Sequence, residues 1–84
     1  MKDFIFESPF PTTKQGLLNL VFLDKRRIFE CAGSYSITRF KLLSEDEKAT
    51  IAKFRIFSNG EVSVELHDAV EASVIIERMG WVDE

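Results

Sequence analysis

Glu61-Val62-Ser63-Val64-Glu65-Leu66-His67 is the stretch that decides the fold. Its apolar residues fall on alternate positions, the period of a strand with one face in a core. The preceding segment, Ala49 to Phe57, carries the same alternation, with Ala52, Phe54 and Ile56 on one face and Lys53 and Arg55 on the other. Ser58-Asn59-Gly60 joins the two runs and sets their register. A two-residue Asn59-Gly60 loop would put Phe57 opposite Val62 and Arg55 opposite Val64, turning cations toward the core. A three-residue loop with Gly60 in the left-handed position puts Ile56 opposite Val62, Phe54 opposite Val64 and Lys53 opposite Glu65. The second register keeps both apolar sets on one face, so the sequence selects it.

Working outward, Asp68-Ala69-Val70-Glu71 fits a capping box, and Ala72, Ile75, Ile76 and Met79 follow at helical spacing before Gly80. A helix over about 69–79 follows, with Trp81 folding back onto the core. Tyr35 to Leu43 reads as a further strand, with Phe40 and Leu42 on one face and Arg39 and Lys41 on the other, ending in an acidic loop tip at Ser44-Glu45-Asp46-Glu47. Phe4 to Phe6 is a short apolar strand, closed by Pro9 and Pro11. Residues 12–33 admit two readings: a helix over about 12–24 opened by Thr12 and Gln15, or a strand pair, Leu17–Leu23 and Arg27–Ala32. The helix is preferred. The expected fold is a small two-layer α+β domain spanning residues 1–84. Its antiparallel sheet has three to five strands, among them about 35–43, 49–57 and 61–67, packed by the C-terminal helix and the N-terminal one.

Composition narrows the class. At 84 residues and 45% hydrophobic content the chain has apolar mass for one thin core and is not of disordered type. A net charge of −3 runs against a domain dedicated to nucleic acid, which needs a cationic excess, and against a polybasic membrane anchor. One cysteine, Cys31, forms no internal disulfide, so a staple-stabilised secreted scaffold is excluded. The longest apolar run, Leu20 to Leu23, is far short of a membrane span, and no signal-peptide pattern opens the chain. A cytoplasmic location is the expectation.

The inventory for catalysis is thin. His67 is the one histidine, placed by alternation on the outward face at a strand end, and its neighbour Asp68 is committed to the helix cap. Cys31 reads as a buried, inert thiol, since a nucleophilic role needs a base to lower its pKa. One cysteine and one histidine do not make a zinc site, the acidic tip lacks calcium-loop spacing, and no phosphate- or dinucleotide-binding fingerprint occurs. No metal, cofactor or enzymatic activity is therefore expected.

Two features point instead to binding. If segments 35–43 and 49–57 pair, Arg39, Lys41, Lys53 and Arg55 share the outer sheet face, with Glu61 and Glu65 as partial compensation and Tyr35 and Phe57 nearby. Such a face is either a solvated ion-pair lattice or a docking site for an acidic partner. Lys25-Arg26-Arg27 is a second basic cluster. The run holding Leu20, Phe22 and Leu23 is apolar on nearly every side of a helix, a surplus that self-association would cover. The expectation is a small non-enzymatic binding or regulatory module acting through protein–protein contacts and forming a homodimer. Nucleic-acid binding through the basic sheet face is the alternative.

Overall fold

The computed structural model describes residues 3–81. Strand β1 (Phe4–Glu7) leads into four helices, α1 (Lys14–Phe22), α2 (Arg26–Glu30), α3 (Ser36–Lys41) and α4 (Glu45–Ala49), then strands β2 (Ile51–Ile56) and β3 (Val62–Leu66) and the helix α5 (Ala69–Met79). The sheet is antiparallel, in the order β1-β2-β3. This is a small α+β fold.

The hairpin has the register the alternation dictates: Ile56 faces Val62, Phe54 faces Val64 and Lys53 faces Glu65. Phe57 and Glu61 close a three-residue loop, with Gly60 at φ 93°, a conformation an L side chain would resist. One detail departs from simple alternation. A β-bulge between Ile51 and Lys53 shifts the facing, so Ile51 rather than Ala52 joins Phe54 in the fully buried set.

The expected strand at 35–43 is a helix. Ile37, Phe40 and Leu43 recur at a spacing of three, and Phe40 and Leu43 are buried whereas Leu42 is 68% exposed. The alternation of Phe40 and Leu42 with Arg39 and Lys41 was thus coincidental to a helical period. The acidic tip is helical too. Ser44 Oγ accepts from the Glu47 N–H while the Glu47 carboxylate accepts from the Ser44 N–H, a complete capping box that starts α4.

Of the two readings for residues 12–33, neither fits throughout. α1 forms within the expected span, capped by Thr13 rather than Thr12, but Arg27–Ala32 lies in the short helix α2 and its exit turn, not in a strand. α1 approaches the Pro9–Pro11 turn so closely that a Cβ on Gly16 would lie 2.7 Å from that of Pro11.

Two apolar clusters result. In the first, Ile28, Cys31, Phe40 and Leu43 from α2, α3 and the turns that follow them cover Ile51 and Phe54, with Phe4, Phe6, Ile56, Val62, Val64 and Leu66 around them. In the second, Leu17 and Leu20 of α1 meet Ala72 and Ile76 of α5, with Trp81 folded against them as expected. The C-terminal helix forms at the residues its cap and spacing predict, closed by Gly80 at φ 71°, but it packs on α1 instead of on the sheet. The molecule is accordingly elongated, 47 × 18 × 17 Å. Truncating Phe54 to Ala removes the central ring of the first cluster and is expected to cost about 3–5 kcal/mol. Ser44→Ala, which removes one arm of the capping box, is expected to cost about 1 kcal/mol. Urea unfolding of the two variants against the parent checks both the size and the order.

Candidate functional site

The four cations expected on one sheet face are divided by the fold. Because 36–41 is helical, Arg39 and Lys41 stand exposed on α3, and α3 lies over the face that carries Phe4, Phe6 and Phe54. Lys53 and Arg55 alternate to the opposite face of β2. There Lys53 sits between Glu7 of β1 and Glu65 of β3. Arg55 is engaged by Asp3, whose second carboxylate oxygen accepts the Ser58 N–H at 2.9 Å, and its guanidinium lies 4.2 Å from the Phe57 ring centre. That face is charge-compensated, as a solvated ion-pair lattice would be.

The cations gather elsewhere. Residues 25–43 hold five cations against the single carboxylate of Glu30, leaving six cations against thirteen carboxylates for the rest of the chain. Not all five are available to a partner. Lys25 Nζ donates to the Leu20 and Leu23 carbonyls at 2.6 and 3.3 Å, capping the end of α1, and its partial burial lowers its pKa. Arg26 is held by Asp24 but is 87% exposed. Arg27 donates to the Leu42 carbonyl at 2.6 Å and pairs with Glu47 at 3.3 Å, tying α2 to the end of α3 and the start of α4. Arg39 Nη1 lies 3.7 Å from Glu30, and Lys41 forms no ion pair among the described residues.

Arg27, Glu30, Arg39 and Leu42 line one shallow depression of about 100 Å3 between α2 and α3. A larger open hollow of about 460 Å3 adjoins it across Arg27 and Glu30, with Arg26 and Asp46 on its walls. The structure thus brings Arg27 of one basic cluster beside Arg39 of the other, while Lys53 and Arg55 stay on the far face of the sheet. The same helices and their connecting loop expose Phe29, Leu42 and Tyr35. Tyr35 takes a left-handed conformation (φ 58°), unusual for a residue with a side chain. In the sequence Phe29 reads as added apolar bulk, because an isolated aromatic looks like core until the helix face it occupies is known.

The apolar run of α1 is divided as well. Leu20 is buried in the second cluster, Leu23 is half-buried, and Phe22 is 75% exposed. Of the three residues expected at a self-association surface, only Phe22 stands clear of the fold.

His67 is not a free surface residue. Its Nε2 lies 3.2 Å from Ser8 Oγ, and Phe10 packs edge-on against its ring. A serine–histidine contact invites a nucleophilic reading, yet Ser8 Oγ donates its one proton to the Ile51 carbonyl at 2.5 Å. In that arrangement the imidazole donates to the serine instead of taking a proton from it, and Asp68 is engaged by the N–H groups of Val70 and Glu71. The chain of bonds fastens the end of β1 to both ends of the hairpin. Cys31 is fully buried, its Sγ 3.4 Å from the Arg27 carbonyl, and burial pushes the thiol pKa up. Among the described residues no three side chains form a metal-binding group, and no helix is long and apolar enough to cross a membrane.

A scan against protein-family models, a search of curated proteins and a search of solved structures each found no significant match.

The outer-face lock gives a pH signature. Hydrogen bonds from Arg55 hold the Asp3 carboxyl below the usual carboxylate range, against a smaller opposing effect of desolvation and with help from Ser58. A depressed folded pKa contributes stability above the unfolded value and loses it as pH falls through the folded one. Asp3→Asn should therefore be less stable than the parent near neutral pH, and the gap in urea midpoint should narrow below about pH 3.9. A gap that stays constant with pH would show that Asp3 acts through packing alone.

Proposed function

We propose that this chain is a small non-enzymatic binding or regulatory module that acts through protein–protein contacts, with the α2–α3 ridge as its recognition surface. The observation that carries this reading is the charge separation: Arg26, Arg27, Arg39 and Lys41 stand together with exposed Phe29, Tyr35 and Leu42 on an acidic chain. Arginine and tyrosine are the residue types that most often anchor protein interfaces, and apolar side chains among cations suit a partner that is both acidic and apolar. The Arg26–Asp24 and Arg39–Glu30 pairs are exposed and worth about 0.2–1 kcal/mol each, so exchanging Asp24 or Glu30 for a partner's carboxylates costs little, whereas Glu47, buried against Arg27, stays in place. A nucleic acid would also meet cations here, but the acidic remainder of the chain opposes a polyanion at longer range.

Capture of binding partners from a lysate, with and without nuclease, tests the reading. The protein partner should be retained in both arms. Reversing Arg39 and Lys41 to Glu should weaken it about tenfold or more. Lys14→Glu, a reversal at the start of α1 that the helix dipole tolerates, should leave capture unchanged. Retention confined to the arm without nuclease would replace the protein partner by nucleic acid, and indifference to the reversal would remove the ridge from the interface.

A further inference from the structure

The sheet has two edges, and they differ. On the β1 side the strand is four residues long and runs into Pro9, which has no N–H to offer. Its Phe4 and Phe6 are turned to β2, leaving only Ile5 and Glu7 to face outward within the strand. The β3 edge is different. Phe57 donates to the Glu61 carbonyl at 2.8 Å, so Ser63 and Glu65, two and four residues on, are the positions that exchange bonds with β2. The N–H and C=O groups of Val62, Val64 and Leu66 therefore point away from the sheet, and no hydrogen bond from the described residues reaches them. Their side chains are only partly covered. Neither proline nor lysine interrupts this edge.

Charge selects what fits it. A second copy of the chain pairing antiparallel about a two-fold axis has few registers. Centring on Glu65 sets two glutamates directly opposite each other. Centring on Ser63 sets Glu61 against Glu65 of the second copy, twice. Centring on Val62 drives the pairing into the Ser58–Gly60 loop, where Gly60 has left strand geometry. Centring on Leu66 runs it into Asp68, which is committed to the α5 cap. Centring on Val64 sets no two glutamates directly opposite: Val62 faces Leu66, Ser63 faces Glu65 and Glu61 faces His67, so glutamates meet only as diagonal neighbours, with Lys53 beside each Glu65. All three outward-pointing residues find hydrogen-bonding partners, and the apolar face continues across the junction.

We infer that β3 is a self-pairing edge, and that two copies of this chain join through it about Val64 into a continuous six-stranded antiparallel sheet. The inference is independent of the α2–α3 ridge, which lies over the covered face and stays exposed in such a dimer.

Cysteine cross-linking and mass measurement test it together. The parent should scatter light with a mass near twice 9.7 kDa at micromolar concentration. In the two-fold pair the two Val64 Cα atoms are about 5.5 Å apart, inside the range a disulfide spans. Val64→Cys should therefore form a covalent dimer on mild oxidation. Val62→Cys should not, because the two copies of that residue lie about 13 Å apart along the strands. The native Cys31 is buried and does not compete. Val64→Pro removes the outward N–H, along with part of the Val64 packing on the first cluster, and should give a monomer whose far-ultraviolet circular dichroism still shows the fold. Reversal of Arg39 and Lys41 should leave the mass unaltered, so failure of the ridge and failure of the edge read differently. A parent that is monomeric at all concentrations, or cross-linking at Val62 equal to that at Val64, overturns the proposal. A dimer that persists in Val64→Pro overturns it as well, and assigns self-association to another surface.

Discussion

Phe54 sits at the centre of the middle strand, fully buried, with its ring stacked on Phe40 at 4.6 Å and 14° between planes. Phe4 meets both rings edge-on, at 5.5 Å from Phe40 and 6.1 Å from Phe54, and Phe6 lies 5.0 Å from Phe40. Four aromatic rings from three elements thus form the nucleus of the first cluster. The arrangement requires the hairpin register, since a slip of one residue would carry Phe54 to the solvent face. It also requires 36–41 to be helical, because a helix lets Phe40 reach down onto the sheet while Arg39 and Lys41 stay in water.

That single requirement organises the charge. With α3 over one face, its cations are carried away from Lys53 and Arg55, which the strand turns to the other. The outer face then neutralises itself through Glu7, Glu65 and Asp3, whereas α3 adds its cations to those of α2. Glu47 is the fixed point between the two halves of the surface. Nearly buried, it accepts from the Ser44 N–H and forms an ion pair with Arg27, so one carboxylate caps α4 and anchors α2. A buried carboxylate with all its partners in place is a positional constraint more than a source of stability.

The second cluster is thinner. Two helices bury Leu17, Leu20, Ala72 and Ile76 completely but leave Leu18, Val21 and Ile75 only partly covered. A pair of short helices has too little facing surface to enclose side chains on more than one stripe each. The apolar excess of the run from Leu17 to Leu23 is therefore shared between an interior and a surface, with Leu20 on one side of the divide and Phe22 on the other.

The sequence by itself determined the hairpin, its register, its glycine turn and the C-terminal helix with both caps. In each of these the deciding interactions are local: alternation over a few residues, one loop length, one side chain bonding a nearby N–H. The capping box at Ser44 and Glu47 is just as local but reads in the sequence as an acidic loop tip, and the spacing of Ile37, Phe40 and Leu43 is hidden by a competing alternation. Only the tertiary structure decided which helix covers the sheet, that α5 pairs with α1, and that Arg27 meets Arg39. Those outcomes depend on contacts between residues far apart in the chain. Short apolar runs are compatible with several packings, and the one adopted is fixed by which bulky side chains enclose Phe54 together.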